Sequence, residues 1–173
     1  PLDKGGSVPT ASADLCSQIE RALSLPAGMS DLRTVLWRDG DVLLIADAYG
    51  AALRWELGKG APDVLPPMQE GQSANIVFTG DGNALLRYVD SGAGTLWQHR
   101  PSAWMPVAVP AAARQVLGDV VAAVGLDTGM AASSSDGHTV WIEPGSGRAQ
   151  LLSDGDGVIA AAVQLDAHAI VLG

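Results

Sequence analysis

A chain of 173 residues with a formal net charge of −9 has the length of one domain and can bury a sizeable core. With 47% apolar and 17% charged residues it is not an intrinsically disordered segment, and 21 Gly with 10 Pro favour short strands and turns over a helical bundle. The acidic balance argues against a nucleic-acid partner, because the eight Arg are scattered singly and Lys4 and Lys59 are the only lysines.

The stretch from Leu2 to Thr10 carries Gly5, Gly6, Ser7 and Pro9 and reads as a linker. From Ser12 to Leu23 a short helix is expected. Leu15, Ile19, Ala22 and Leu23 share one face, Ser12 can cap it, Asp14 sits in the first turn and Pro26 ends it. Cys16 lies in that helix as the single cysteine, so no internal disulfide forms and a small buried role is expected. The chain opens at Pro1 rather than Met, from which an excised or processed fragment is expected. It shows no signal peptide and no apolar run near the roughly 18 residues of a membrane span, so no membrane insertion is expected.

From residue 31 onward the sequence repeats. The first unit predicts strands at Arg33–Trp37, Val42–Asp47 and Ala52–Leu57, with a weak segment near Val64. The second predicts Asn75–Thr79, Ala84–Asp90, Thr95–Arg100 and Met105–Val109. The third predicts Val120–Asp127, Met130–Ser135, His138–Glu143 and Ala149–Ser153. These runs are short, rich in β-branched and aromatic residues, and bounded by Gly, Asp, Ser and Pro. Three landmarks keep the register. Trp55, Trp97 and Trp141 mark the third strand of each unit; Asp39-Gly40 returns as Asp81-Gly82 and as Asp127-Thr128-Gly129; and Gly50, Gly92 and Gly137 precede the tryptophan strands. Asp-Gly pairs suit tight hairpins because Gly accepts a positive φ without steric cost. A fourth unit begins when Ala122-Ala123-Val124-Gly125-Leu126-Asp127 returns as Ala161-Ala162-Val163-Gln164-Leu165-Asp166, followed by an apolar run from Ala169 to Leu172.

Four strands per unit of about forty residues resemble the WD40-type β-propeller family, and Ser133-Ser134-Ser135-Asp136-Gly137-His138-Thr139-Val140-Trp141 is the best local match. No tryptophan is followed by Asp, and the family's Gly-His pair is absent ahead of the first strand. The resemblance implies an all-β fold, a propeller fragment of four-stranded antiparallel blades with the short helix in front. Residues 1–30 are then linker and helix, and the blades cover 31–70, 71–114, 115–157 and an incomplete 158–173.

The polar residues assemble no catalytic or metal-binding pattern. His99, His138 and His168 lack ligand spacing, and His138 reads as a strand residue beside a turn that supplies a hydrogen bond. Ser153-Asp154-Gly155-Asp156-Gly157 lacks the later ligands of a calcium loop and reads as a turn. Ser133, Ser134 and Ser135 lack a nucleophile elbow and read as small residues on an inner strand. Gly58-Lys59-Gly60 and Gly92-Ala93-Gly94 open no helix and read as turns rather than phosphate loops. Trp55, Trp97 and Trp141 are expected in packing between repeats, and Trp37 in the core. Trp104 breaks the period in the loop that starts at Arg100; if exposed, Trp104 and Arg100 form the partner-binding pair.

The implied function is a non-catalytic protein-interaction or scaffold module with no cofactor. The alternative is part of a propeller enzyme or small-molecule binder with its site in the central channel, and a third reading is purely structural. Propellers use 4–8 blades, so a protein partner or second fragment is expected to complete the ring.

Overall fold

The structure, a computed structural model, describes Pro26, residues 28–38, 41–56, 58–68, 72–155 and 157–159, and the backbone of 162–166 and 169–172. The linker, the helix with Cys16, Asp39-Gly40, Asp156 and His168 lie outside the described residues. The first sheet has the order β1 (Leu32–Arg38), β2 (Val42–Asp47), β3 (Ala52–Glu56) and β4 (Asp63–Leu65). The second runs β5 (Asn75–Phe78), β6 (Ala84–Tyr88), β7 (Gly94–Arg100) and β8 (Ala103–Val107). The third runs β9 (Val120–Gly125), β10 (Met130–Ser134), β11 (His138–Glu143) and β12 (Arg148–Asp154). Every neighbouring pair is antiparallel, and β13 (Ala162–Asp166) with β14 (Ala169–Leu172) begins a further sheet. The sequence pattern did not foresee a short helical connection before β9, a 3-10 turn at Ala111–Ala113 leading into α1 (Arg114–Leu117).

The middle strands explain the packing. The run Val42-Leu43-Leu44-Ile45-Ala46 does not alternate with polar residues, because β2 is buried along its whole length. Val42, Leu44 and Ala46 meet Ile76, Phe78 and Leu85 of the second sheet, while Leu43 and Ile45 join Leu53, Trp55 and Met29 on the far face. Leu86, Tyr88 and Leu96 of the second sheet meet Met130, Ala132, Val140 and Ile142 of the third, with Val116 and Leu117 of α1 filling the same core. Each sheet therefore packs through two faces.

Between the second and third sheets the first strands come very close. A Cβ on Gly125 would stand 1.9 Å from the Phe78 carbonyl oxygen, and one on Gly80 would stand 2.7 Å from the Asp127 Cα. The backbones are tied there by Gly80 N–H to Leu126 O at 2.5 Å and Asp81 N–H to Asp127 O at 2.7 Å. The small residues relieving this crowding are Gly80 and Gly125, whereas Ser133 and Ser134 lie on a second strand, β10, and Ser135 in the following turn.

Ser133 instead closes a buried polar contact. Its hydroxyl lies 2.6 Å from that of Thr139, its cross-strand neighbour, and accepts the Ile159 N–H at 3.2 Å, which fastens the chain leaving the third sheet onto β10. Asp47, also buried, accepts N–H groups from Tyr49 at 2.9 Å, Ala51 at 2.8 Å and Ser30 at 3.3 Å, and so builds the β2–β3 turn. The Asp81-Gly82 hairpin forms as read from sequence: Gly82 has φ +68°, and Thr79 and Ala84 close it with a 2.9 Å backbone bond.

Gly125→Ala is expected to destabilise the fold by about 1–3 kcal/mol, since the added methyl meets backbone and not a side chain that can rotate away. Urea unfolding of the two proteins measures it; an unchanged midpoint would mean the first strands are farther apart than described.

Candidate functional site

In each antiparallel sheet the first-to-second and third-to-fourth turns emerge at one rim, and the second-to-third turns at the other. On the first rim two cavities adjoin. One of about 270 Å³ is lined by Trp37 and Arg38 at the end of β1 and by Gly80 and Asp81 of the β5–β6 turn. The other, about 380 Å³, is lined by Asp81, Asn83 and Gln98 of the second sheet and by Thr128, Glu143, Ser146 and Arg148 of the third. Asp81 lines both cavities, which between them touch all three sheets.

Most charges lining these cavities are already engaged. Asp81 accepts from Asn83 N–H at 3.0 Å, Asn83 Nδ2 at 3.1 Å and the Thr79 hydroxyl at 2.6 Å. Glu143 accepts from Ser146 and from Arg148 Nη2 at 2.6 Å, and these donors hold its carboxyl below the usual range. On the neighbouring β3, Glu56 is held down to about 2 by Lys59 and then Arg54. The Arg38 side chain makes no hydrogen bond or ion pair among the described residues, and its Nε, like those of Arg54 and Arg87, is buried without an acceptor. Trp37, expected in the core, is 46% exposed beside it.

The opposite rim holds the histidine cluster. His138 opens β11 beside the turn, with Nδ1 2.8 Å from Asp136 and Nε2 2.8 Å from Asp154. Asp136 also accepts the Ser134 hydroxyl. The imidazole therefore faces two carboxylates, and Ser134 addresses Asp136 rather than the ring. Asp136 raises the His138 pKa above its usual 6.5, while Ser134 and then His138 hold Asp136 well below the carboxylate range.

The sequence-derived site residues separate in space. Trp55 and Trp97 lie on the third strands β3 and β7, opposite Leu43 and Leu85. Trp97 packs on the core against the first sheet, under the Arg87 guanidinium 5.0 Å from its ring, and Arg87 reaches across to the carbonyls of Gly50 and Pro66. Trp141 lies on β11 but on the other face: Ile142 packs against the second sheet, and Trp141 points away with Leu126, Ala131 and Ile159. Strand side chains alternate, so a one-residue offset reverses the face. The glycines carried that signal. Trp55 and Trp97 stand five residues after Gly50 and Gly92, and it is Ile142 that stands five after Gly137.

Trp104 is not exposed. It lies in β8, 6% accessible, with its Nε1 donating to Asp63 O at 3.3 Å and its ring against Phe78 and His99. His99 in turn contacts the Asp63 carboxylate at 2.8 Å, so both side chains bind the second sheet to β4. The tight β7–β8 hairpin pairs Arg100 with Ala103, which draws Trp104 into the sheet and leaves Arg100 exposed on the first rim. Among the described residues no three His, Cys, Asp or Glu side chains are grouped to hold a metal ion, and no helix is long and apolar enough to cross a membrane.

No family model and no curated protein matches the sequence. Among solved structures, this chain is similar to "Structure of U3-55K", a WD40 β-propeller protein, with a TM-score of 0.54 and 13% identity over 82% of this chain. These sheets are β-propeller blades. The chain spans 45% of the length of that structure's chain. The likeness concerns the fold of the blades alone.

Two outcomes follow. Trp104→Ala should cost about 3–5 kcal/mol in urea unfolding, as truncation of a buried indole does, whereas a surface role would leave stability unchanged. The His138 contacts stabilise the fold fully below the histidine's usual 6.5 and are lost as pH rises through its raised folded value. The Asp136 contribution is present above the usual 3.8 and is lost as pH falls through its depressed folded value. The thermal midpoint of the parent should therefore exceed that of His138→Gln most between about pH 4 and 6.5 and by less at pH 8. A difference that grows toward pH 8 would contradict the assigned contacts.

Proposed function

We propose that this chain is a non-catalytic protein-interaction module whose partner engages the rim carrying Trp37, Arg38, Asp81 and Arg100. The observation that carries this reading is the exposed Trp37, which lines a cavity of about 270 Å³ between the first and second blades. Tryptophan and arginine dominate binding energy where a partner desolvates them, and here both kinds stand on the same rim. The turns of that rim are also firmly built, through Asp81 and Glu143, so the surface is preorganised.

The opposite rim fits a structural role better than chemistry. Ser134 donates to Asp136 and His138 lies between two carboxylates, so this hydrogen bond and these ion contacts hold the β10–β11 turn.

The test is co-purification of the protein with its native partner, followed by hydrogen exchange of the complex. Protection should centre on Trp37, Asp81 and Arg100, and Trp37→Ala should release the partner while leaving the circular dichroism spectrum intact. Ser134→Ala should lower thermal stability and leave partner binding unchanged. Protection confined to the His138 rim, or a turnover abolished by Ser134→Ala in folded protein, would overturn the proposal.

A further inference from the structure

The outer edge of the second blade runs into an apolar stretch that the fold leaves uncovered. From Met105 to Ala113 no residue has a polar side chain, yet only Ala113 is buried. Alternation along a strand sets which blade each side chain faces. Val107 lies opposite Leu96 and packs on the core shared with the third blade, so Met105, opposite Gln98, faces the third blade as well. Leu151 of β12 lies opposite Val140 of that same core and faces back toward the second blade. Met105 and Leu151 are 49% and 48% exposed, so the gap between the two outer strands is open at the periphery and apolar on both walls. Val107 and Val109 form its inner side.

We infer that this gap docks an acidic amphipathic helix of a partner protein. The inference goes beyond the rim reading above, because it places a second contact surface on the outer side of the blades. Charge selects the occupant. None of the 19 acidic residues falls between Asp90 and Asp119, although the chain as a whole carries −9. Arg100 in the β7–β8 hairpin and Arg114 at the start of α1 flank the apolar stretch; both are exposed, and among the described residues neither side chain has a hydrogen bond or ion pair. The neighbouring carboxylates Glu143 and Asp119 already accept from Arg148 and Ser135. An acidic segment is therefore attracted to this gap and repelled by most of the remaining surface, which fixes where it lands.

Backbone chemistry favours a helix over an added strand. Pro106 has no N–H to offer a further strand, so recognition rests on side chains. At the rise of a strand, the stretch from Met105 to Val109 covers about 13 Å. Two turns of helix cover about 11 Å, so an apolar stripe at i, i+4 and i+7 matches its length. The methionine side chain adapts to the shape it meets. Pro106 and Pro110 stiffen the backbone beneath, so docking costs the surface little conformational freedom.

Fluorescence polarisation on the full chain tests this with a fluorescein-labelled helical peptide of about sixteen residues, leucine at every third or fourth position and glutamate on the flanks. One counterpart carries glutamine for every glutamate, and another has the same residues in an order without the stripe. The glutamate peptide should bind saturably below about 1 mM. Both counterparts should bind roughly tenfold more weakly. Leu151→Asp and Met105→Asp, at exposed positions, should each lose about tenfold, as should Arg100→Glu combined with Arg114→Glu. Arg33→Glu, an exposed arginine of β1, should bind as the parent does. The glutamine peptide keeps the test valid if an Asp variant unfolds. No saturable binding, equal binding of the glutamine peptide, or unchanged binding by folded Leu151→Asp would overturn the inference. Self-association of the chain in sedimentation, abolished by Met105→Asp, would overturn it by giving the gap to a second copy. Should the peptide fail while the native partner still protects the Trp37 rim, the interaction module stands and this second surface alone falls.

Discussion

Each sheet of this protein has to be apolar on both faces, and the other features follow from that constraint. The second strand of the first blade is a run of aliphatic residues that serves two interfaces, with Val42, Leu44 and Ala46 on one side and Leu43 and Ile45 on the other. The corresponding strand of the third blade is smaller, Met130-Ala131-Ala132, and α1 brings Val116 and Leu117 to fill that space. Large residues on one strand and a helical filler beside the other are two ways of reaching interior packing density.

The same packing forces backbones together toward the first strands. Gly125 lets β9 approach the Phe78 carbonyl, and Gly80 lets the β5–β6 turn bond to the backbone of Leu126 and Asp127. Neither residue is needed for a positive φ; each is needed for the absence of a side chain. Farther out the blades are joined by polar contacts that use side chains already half inside the core. Arg87 spans from the second blade to the first, and His99 with Trp104 clasps Asp63.

The two rims consequently differ. On one, His138 lies between the Asp136 and Asp154 carboxylates and Ser134 donates to Asp136, around the β10–β11 turn. On the other, the turns are equally well bonded through Asp81 and Glu143, but Trp37 stands exposed beside them. An exposed indole contributes little to the isolated fold and much to a complex that desolvates it. That asymmetry separates a surface built for the chain's own stability from one open to a partner.

The sequence by itself determined the strands, their order and their grouping into repeats. Runs such as Val42–Asp47 and His138–Glu143 are local patterns bounded by turn residues, and the landmark glycines fix the repeat length. It also placed the Asp81-Gly82 hairpin, because a positive φ is a requirement of one residue and its neighbours. The glycine spacing already carried the facing of Trp141, whereas the tertiary structure decided what each tryptophan packs against. A one-residue offset after Gly137 turns Trp141 outward and puts Ile142 in the core; a tight hairpin at Arg100 buries Trp104; and the end of β1 leaves Trp37 in the open. Burial depends on what packs against each strand, so residues well separated in sequence help to set it. The period of the chain reveals that those neighbours exist, and only their packing shows which side chains they cover.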